Sequence, residues 1–164
     1  HPDGRAGVIA APRRWWWLAI AVGLGLALVL ANAGLTALGT EVDAGLEGEL
    51  RDYEDQWEEL FDGGRWQVGV FLLAVVVLAP LSEELVFRVL LLGGLRRLMP
   101  FWSAAALSGA LFAAVHLQPA WAISLGLFAA GVGLAWIYRR AGYWAAVATH
   151  ATVNAVAAVS LLAA

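Results

Sequence analysis

Three charged side chains interrupt one apolar stretch of this sequence: Glu83, Glu84 and Arg88. A charged residue at the centre of a membrane helix costs about 2.5–3.5 kcal/mol on insertion scales, so the three would cost roughly 8–10 kcal/mol if none were paired. Glu84 and Arg88 have the i,i+4 spacing of a helical ion pair, with the acid in the favourable N-terminal position. Glu83 points about 100° away from Glu84, so it needs a polar partner from another helix.

Two histidines and an asparagine are the polar groups best placed to be that partner. A single histidine in an apolar helix is usually a core residue whose hydrogen bonds are satisfied. The depth of these polar groups in the membrane therefore decides whether they are interpreted as one site. At about 1.5 Å per residue from the helix ends, Glu83 lies about 20 Å deep, His116 about 22 Å, and His150 and Asn154 about 10–16 Å. The depths overlap on three helices. We expect Glu83, Glu84, His116, His150 and Asn154 to line one cavity.

The rest of the chain has the composition of a membrane protein. Of its 164 residues, 62% are hydrophobic and 14% are charged, whereas a soluble domain carries roughly 25% charged residues. About 20 helical residues cross a bilayer core. The sequence therefore predicts an all-α, polytopic transmembrane helix bundle, with Pro80 kinking the second helix. The five predicted spans are roughly 15–38, 66–95, 101–117, 121–138 and 143–163.

Arginine pairs and aromatic residues predict the topology. With five alternating crossings the three arginine pairs fall on one side of the membrane, and tryptophans and tyrosines cluster near the helix ends. The chain is therefore predicted to be a multi-pass protein of the cell membrane with a cytoplasmic N-terminal tail, residues 1–14. An alternative is that Ala31–Asn32–Ala33 ends a signal peptide, but the apolar run is longer than usual for one. The pairs are Arg13–Arg14, Arg96–Arg97 and Arg139–Arg140.

Residues 15–164 are interpreted as a single transmembrane domain with an acidic extracytoplasmic loop at 39–64. Within 41–62, apolar residues recur at helical spacing between acids, which predicts an amphipathic helix on the outer surface or capping the bundle. A solvated acidic face without a specific partner is the alternative. The apolar positions are Leu46, Leu50, Tyr53, Trp57, Leu60 and Phe61.

Several kinds of chemistry are excluded by residue type. The chain has no cysteine, so it has no thiol nucleophile, thiolate metal site or disulfide. None of its serines lies in a G-x-S-x-G nucleophile motif. There is no basic stripe or nucleic-acid motif, so nucleic acid is not a predicted partner.

Three short motifs on successive apolar segments resemble those of the CAAX-protease and bacteriocin-processing (CPBP, Abi) family of intramembrane proteases. EExxxR spans Glu83–Arg88, FxxxH spans Phe112–His116, and HxxxN spans His150–Asn154. FxxxH and HxxxN are weak signals alone, but all three in order on consecutive hydrophobic segments are specific. The resemblance covers about 66–160 and leaves out the first helix and the acidic loop. It implies an intramembrane endopeptidase acting on a membrane-associated peptide or protein.

The residue types suit hydrolysis by an activated water. Glu83 with His116 can deprotonate the water, and His150 with Asn154 can donate hydrogen bonds to the developing oxyanion. Glu84 with Arg88 is expected to hold the geometry, with Arg88 also orienting a histidine. The resemblance implies the same division of roles.

Alternatives remain open from sequence alone. Glu83, His116 and His150 could hold a catalytic zinc with water as fourth ligand, although no H-E-x-x-H motif is present and a neutral amide such as Asn154 is an unusual zinc ligand. No cofactor is assigned. A non-catalytic scaffold or immunity protein could reuse the same fold, and a small proton-coupled transporter could also use intramembrane Glu and His. Glu83→Gln separates these classes, since only a protease should lose turnover.

Overall fold

A computed structural model of the chain describes residues 15–43, 45–61, 64–118 and 120–163. Within these ranges the chain forms helices joined by short turns and no strand, which confirms the predicted fold class. The helices are α1 (Trp16–Val42), α2 (Leu46–Phe61), α3 (Arg65–Leu95), α4 (Phe101–Val115), α5 (Trp121–Ala141) and α6 (Tyr143–Ala163).

Four of the five predicted spans, α1, α3, α5 and α6, are long and apolar enough to cross a membrane. Helix α4 has 15 residues and therefore measures about 22 Å, less than a bilayer core of about 30 Å. It ends early because Leu117 adopts a φ of 50°, a left-handed conformation that does not continue a right-handed helix. His116 is the C-cap residue that directly follows α4, at the point where the chain turns.

Helix α3 is not a uniform α-helix. Two wider, π-helical stretches, Leu73–Leu78 and Leu85–Leu92, flank a short α-helical stretch that contains Pro80. In the first stretch the Ala79 amide donates to the Ala74 carbonyl, five residues back. The equivalent donor for the Val75 carbonyl would be the amide of residue 80, but proline has no N–H. Val75 therefore offers a carbonyl oxygen to another partner.

Glycines bring the helices of the bundle close together. A Cβ atom on Gly131 of α5 would lie 2.7 Å from the Cα of Gly109 on α4, and one on Gly25 of α1 would lie 2.9 Å from the Thr149 carbonyl oxygen on α6. Small residues of this kind let membrane helices pack closely, where packing rather than the hydrophobic effect drives association. These contacts fix α4 and α6, which carry the two histidines.

The two ends of the bundle differ in charge. Arg96 and Arg139 both lie over the ring of Phe101, with the guanidinium carbons 5.8 and 4.4 Å from its centroid, so the arginines that follow α3 and end α5 share one end. At the other end the Trp121 indole donates to Asp43 at 3.2 Å. Arg13 and Arg14, together with the rest of the tail 1–14, lie outside the described residues.

The predicted amphipathic helix is present as α2, at the acidic end. Leu46 is fully buried against Ala120 and Ala122, and the partly buried Leu50 packs beside it. Exposed acids such as Glu47 and Glu49 lie between these leucines along the helix. Helix α2 therefore caps the bundle. The side chains of Tyr53, Trp57, Leu60 and Phe61 lie outside the described part of the chain.

A first prediction concerns topology. We expect the end of the bundle with Arg97 to be cytoplasmic and the end with α2 to be extracytoplasmic, because positive residues are retained inside. Cysteine substitutions suit the test because the chain has no cysteine of its own. In intact cells, a membrane-impermeant maleimide should label Glu49→Cys and should label Arg97→Cys only after lysis. Labelling of Arg97→Cys in intact cells would reverse the topology.

Candidate active site

A buried ion pair forms the base of the site. Arg88 Nε donates to Glu84 Oε2 at 2.9 Å, and both side chains are fully buried, as the i,i+4 spacing predicted. Arg88 Nη1 also donates to Ser108 Oγ of α4 at 3.2 Å, and the Ser108 hydroxyl donates to the Phe87 carbonyl at 3.2 Å. The two charges are thus paired and hydrogen-bonded, the condition under which charges are tolerated in a low-dielectric interior.

Glu84 connects this pair to the first histidine. Its Oε1 lies 2.9 Å from His150 Nδ1 on α6. The prediction that Glu84 lines the cavity with the other polar groups is wrong, since Glu84 is fully buried behind His150 and does not reach the cavity wall. Arg88 contacts Ser108 and Glu84, so the carboxylate rather than the arginine orients a histidine.

Glu83 lies in front of both histidines. Its Oε2 atom is 3.8 Å from His116 Nε2 and 3.8 Å from His150 Nε2. These distances are too long for direct hydrogen bonds. Glu83 Oε2 is buried and receives no hydrogen bond from the described residues. The structure therefore brings Glu83, His116 and His150 together, from α3, α4 and α6.

Hydrogen bonds fix which ring nitrogen of each histidine faces Glu83. His116 Nδ1 lies 2.6 Å from the Phe112 carbonyl oxygen, which can only accept, so Nδ1 carries the hydrogen. The Glu84 carboxylate imposes the same state on Nδ1 of His150. In the neutral rings Nε2 then holds the free lone pair. Phe112 packs between the rings, with centroids 4.6 Å from His116 and 5.6 Å from His150.

Asn154 hydrogen-bonds to the Val75 carbonyl, to which Pro80 has no N–H to donate. Its Nδ2 donates to the Val75 oxygen at 2.8 Å. A carboxamide nitrogen carries two hydrogens, so one remains available after this contact. The bond fixes the position of Asn154 one turn from His150, and both side chains line the same cavity.

The cavity has a volume of about 550 Å³ and is walled by all six helices. Its polar side chains include Glu83, His116, His150 and Asn154, and most of the remaining wall is apolar. From Glu83 it extends along α3 to Phe71, about 18 Å further from the arginine end at 1.5 Å per residue, and it reaches Leu50 of α2. The four polar groups therefore lie at the deep end of a cavity that α2 covers.

Glu83, His116 and His150 are the residues that would hold a zinc ion. Tetrahedral zinc with bonds of about 2.0–2.1 Å places its ligand atoms about 3.4 Å apart, whereas Glu83 Oε2 lies 3.8 Å from each histidine Nε2. Among the described residues no group of three or more His, Asp or Glu side chains has the arrangement of a metal site. The residues do not fit zinc as they are placed, and no step below passes through a metal.

Three hydrogen-bonding groups in and around the site were not predicted from the sequence. Ser108 was considered only as a nucleophile, although a serine facing the Glu84 helix in an apolar segment is a natural partner for a buried arginine. The Val75 carbonyl is a backbone group, and only the position of Pro80 could have indicated it. Tyr143, whose hydroxyl donates to the Leu81 carbonyl at 2.7 Å, was interpreted as an aromatic residue of the membrane interface.

Fold and site together define a helical membrane protein with carboxylate and imidazole groups converging in a cavity between its helices. A sequence model of the family described as type II CAAX prenyl endopeptidase Rce1-like matches residues 65–156, more than half of the chain. The chain belongs to this family of intramembrane endopeptidases, which confirms the resemblance to CAAX proteases. No curated protein and no solved structure matches the chain.

Proposed function

We propose that the chain hydrolyses a peptide bond of a membrane-associated substrate by means of a water molecule activated by Glu83 and His116. The observation that supports this most is the position of Glu83 Oε2, which lies 3.8 Å from both histidine Nε2 atoms. A water held by the Glu83 carboxylate donates one hydrogen to it and the other to the His116 lone pair. Both contacts raise the nucleophilicity of its oxygen.

In this reaction Glu83 accepts one proton and later returns it. The water oxygen attacks the scissile carbonyl carbon while its proton passes to Glu83, and the carbonyl oxygen becomes the oxyanion of a tetrahedral intermediate. Asn154 Nδ2 donates its second hydrogen to this oxyanion, and His150 Nε2 donates another. The C–N bond then breaks, Glu83 returns the proton to the leaving amine, and the products are an amine and a carboxylic acid.

His150 must carry a second proton to donate from Nε2. Glu83, Glu84 and Arg88 together have a net charge of −1, so a protonated His150 makes the cluster neutral. Glu84 Oε1 lies 2.9 Å from Nδ1 of the same ring and accepts its hydrogen. Glu84 acts through His150 and is therefore a positioning residue.

An assay with purified protein in detergent tests the proposal. Cleavage of membrane peptides should persist after prolonged treatment with a strong zinc chelator, because no step uses a metal. Loss of cleavage on chelation, with recovery on adding zinc alone, would replace the carboxylate mechanism by a metal-dependent one. An absence of any cleavage by folded protein would overturn the protease assignment for this chain.

A second prediction concerns the oxyanion donors. We expect Asn154→Ala to slow turnover by about 10²–10³-fold, the usual effect of removing one such donor. The substitution also leaves the Val75 carbonyl without its partner, so thermal stability is measured in parallel. Thr152→Ala provides a control, because Thr152 lies on the same helix and donates to the Ala148 carbonyl. Activity of Asn154→Ala equal to that of Thr152→Ala would remove Asn154 from the mechanism.

A further inference from the structure

One face of α6 is tied to α3 along its length. Tyr143, His150 and Asn154 are spaced so that an α-helix places them within about 40° of one another. His150 and Asn154 make the contacts with α3 described above, and the Tyr143 hydroxyl donates to the Leu81 carbonyl at 2.7 Å. The proposed reaction uses His150 and Asn154 but gives no part to Tyr143.

The Tyr143 hydroxyl bonds to the part of α3 that carries Glu83. Leu81 lies in the short α-helical stretch Ala79–Glu84, which is flanked on both sides by π-helical turns. A π-helical turn replaces the i→i+4 bonds with i→i+5 bonds, so the α-helical ladder of α3 is interrupted before and after this stretch. The direction of Glu83 therefore depends on how the neighbouring helices hold Ala79–Glu84.

Tyr143 is buried but lies outside the cavity wall. It is only 5% exposed and is not one of the residues that line the cavity, so any effect on a reaction there must pass through the helices that it joins. The Leu81 carbonyl already accepts from the Leu85 amide. The hydroxyl is thus a second donor to a carbonyl that is already satisfied, and its contribution is a bond between α6 and α3.

We propose that Tyr143 is a positioning residue whose hydroxyl fixes the stretch Ala79–Glu84 against α6. It thereby sets the distances from Glu83 Oε2 to both histidine Nε2 atoms, which are each 3.8 Å. A displacement of about 1 Å in such a group can slow a reaction about 10²-fold. The inference rests on the proposed function and adds a residue that lies outside the three sequence motifs.

The test compares two unnatural residues at position 143 that differ in hydrogen bonding. 4-Methylphenylalanine has nearly the size of tyrosine but no donor, whereas 4-aminophenylalanine keeps an N–H that can donate to the Leu81 carbonyl. The substrate is a fluorogenic apolar peptide, chosen from a library because the unmodified protein cleaves it in detergent. Tyr143→4-methylphenylalanine should lower kcat about 10- to 100-fold and leave KM unchanged, as should Tyr143→Phe. Tyr143→4-aminophenylalanine should recover most of the lost kcat.

Thr149 provides the matched control, because its buried hydroxyl also ties α6 to a neighbouring helix. This hydroxyl donates to the Ala21 carbonyl of α1 at 3.0 Å rather than to α3. Thr149→Val should therefore lower thermal stability without lowering kcat. If Tyr143 served only to stabilise the fold, its variants would show the same pattern as Thr149→Val.

Nitrogen NMR of isotopically labelled histidine measures the position of Glu83 without a substrate. His116 is the reporter, because it follows α4 and its Nε2 faces Glu83, whereas the Tyr143 hydroxyl bonds to α3. Tyr143→4-methylphenylalanine should shift the His116 Nε2 signal in the direction that Glu83→Gln shifts it. Thr149→Val should leave this signal unchanged.

The outcomes separate this inference from the proposed function. An unchanged His116 signal, a kcat equal to that of Thr149→Val, or a 4-amino variant no more active than the 4-methyl variant would each overturn the positioning role of Tyr143. The expected change in the His116 signal, in a protein that cleaves no peptide of the library, would overturn the hydrolase mechanism and leave the positioning of Glu83 by Tyr143 in place.

Discussion

Glu83→Gln should abolish cleavage and leave the protein folded. A positioned general base contributes about 10²–10⁴-fold to a reaction rate, and an amide cannot accept the proton of the attacking water. The substitution keeps the size of the side chain and removes a charge whose buried Oε2 atom receives no hydrogen bond from the described residues. A glutamine amide can also donate towards the lone pair of His116 Nε2. Thermal stability should therefore stay the same or rise.

Turnover and unfolding of the purified protein are measured together for this variant. The matched control is Glu49→Gln, the same chemical change at an exposed position of α2, which should retain activity. Full activity of Glu83→Gln would end the protease interpretation and favour a scaffold or immunity protein with the same fold. Loss of activity together with unfolding would indicate a structural role for Glu83.

Glu84→Gln should damage the fold itself. Glu84 neutralises Arg88 and accepts from His150, both within 2.9 Å. Removing one member of a buried ion pair costs about 3–5 kcal/mol, because the remaining charge is left unpaired in a low-dielectric interior. We therefore expect a large loss of stability against denaturing detergent, with the loss of activity following the loss of folded protein.

Two controls show whether the unpaired charge is the cause. The double substitution Glu84→Gln with Arg88→Met removes both charges and should recover part of the lost stability. The exposed pair Glu47–Arg51 on α2 has the same i,i+4 spacing, and Glu47→Gln should cost less than about 1 kcal/mol. A Glu84→Gln protein that is stable but inactive would instead indicate that Glu84 takes part directly in the reaction.

The sequence predicted the convergence of Glu83, His116, His150 and Asn154 because polar groups are too costly to face lipid. The ion pair of Glu84 and Arg88 also followed from spacing alone. Spacing could not show that Glu84 lies behind His150, since this depends on the rotation of α3 relative to α6. The fully buried Glu84 was therefore wrongly placed on the cavity wall.

Helix ends and irregular turns were harder to predict. Helix α4 was predicted to extend to about residue 117, but it ends at Val115 before the positive φ of Leu117, and leucine is not a residue that signals such a conformation. Pro80 was expected to produce a kink. Its effect on the site comes from its missing N–H, because the Val75 carbonyl accepts a hydrogen bond from Asn154 instead. No local sequence pattern contains this tertiary contact.

The most direct test of the central claim is to sequence the N-termini of membrane proteins from cells that express the unmodified chain, Glu83→Gln, or neither. The substrate does not have to be identified before this measurement is made. A protease that depends on Glu83 should produce new N-termini, within or beside apolar segments, only in cells with the unmodified chain. Identical sets of N-termini in cells with the unmodified chain and with Glu83→Gln, at equal expression, would contradict it.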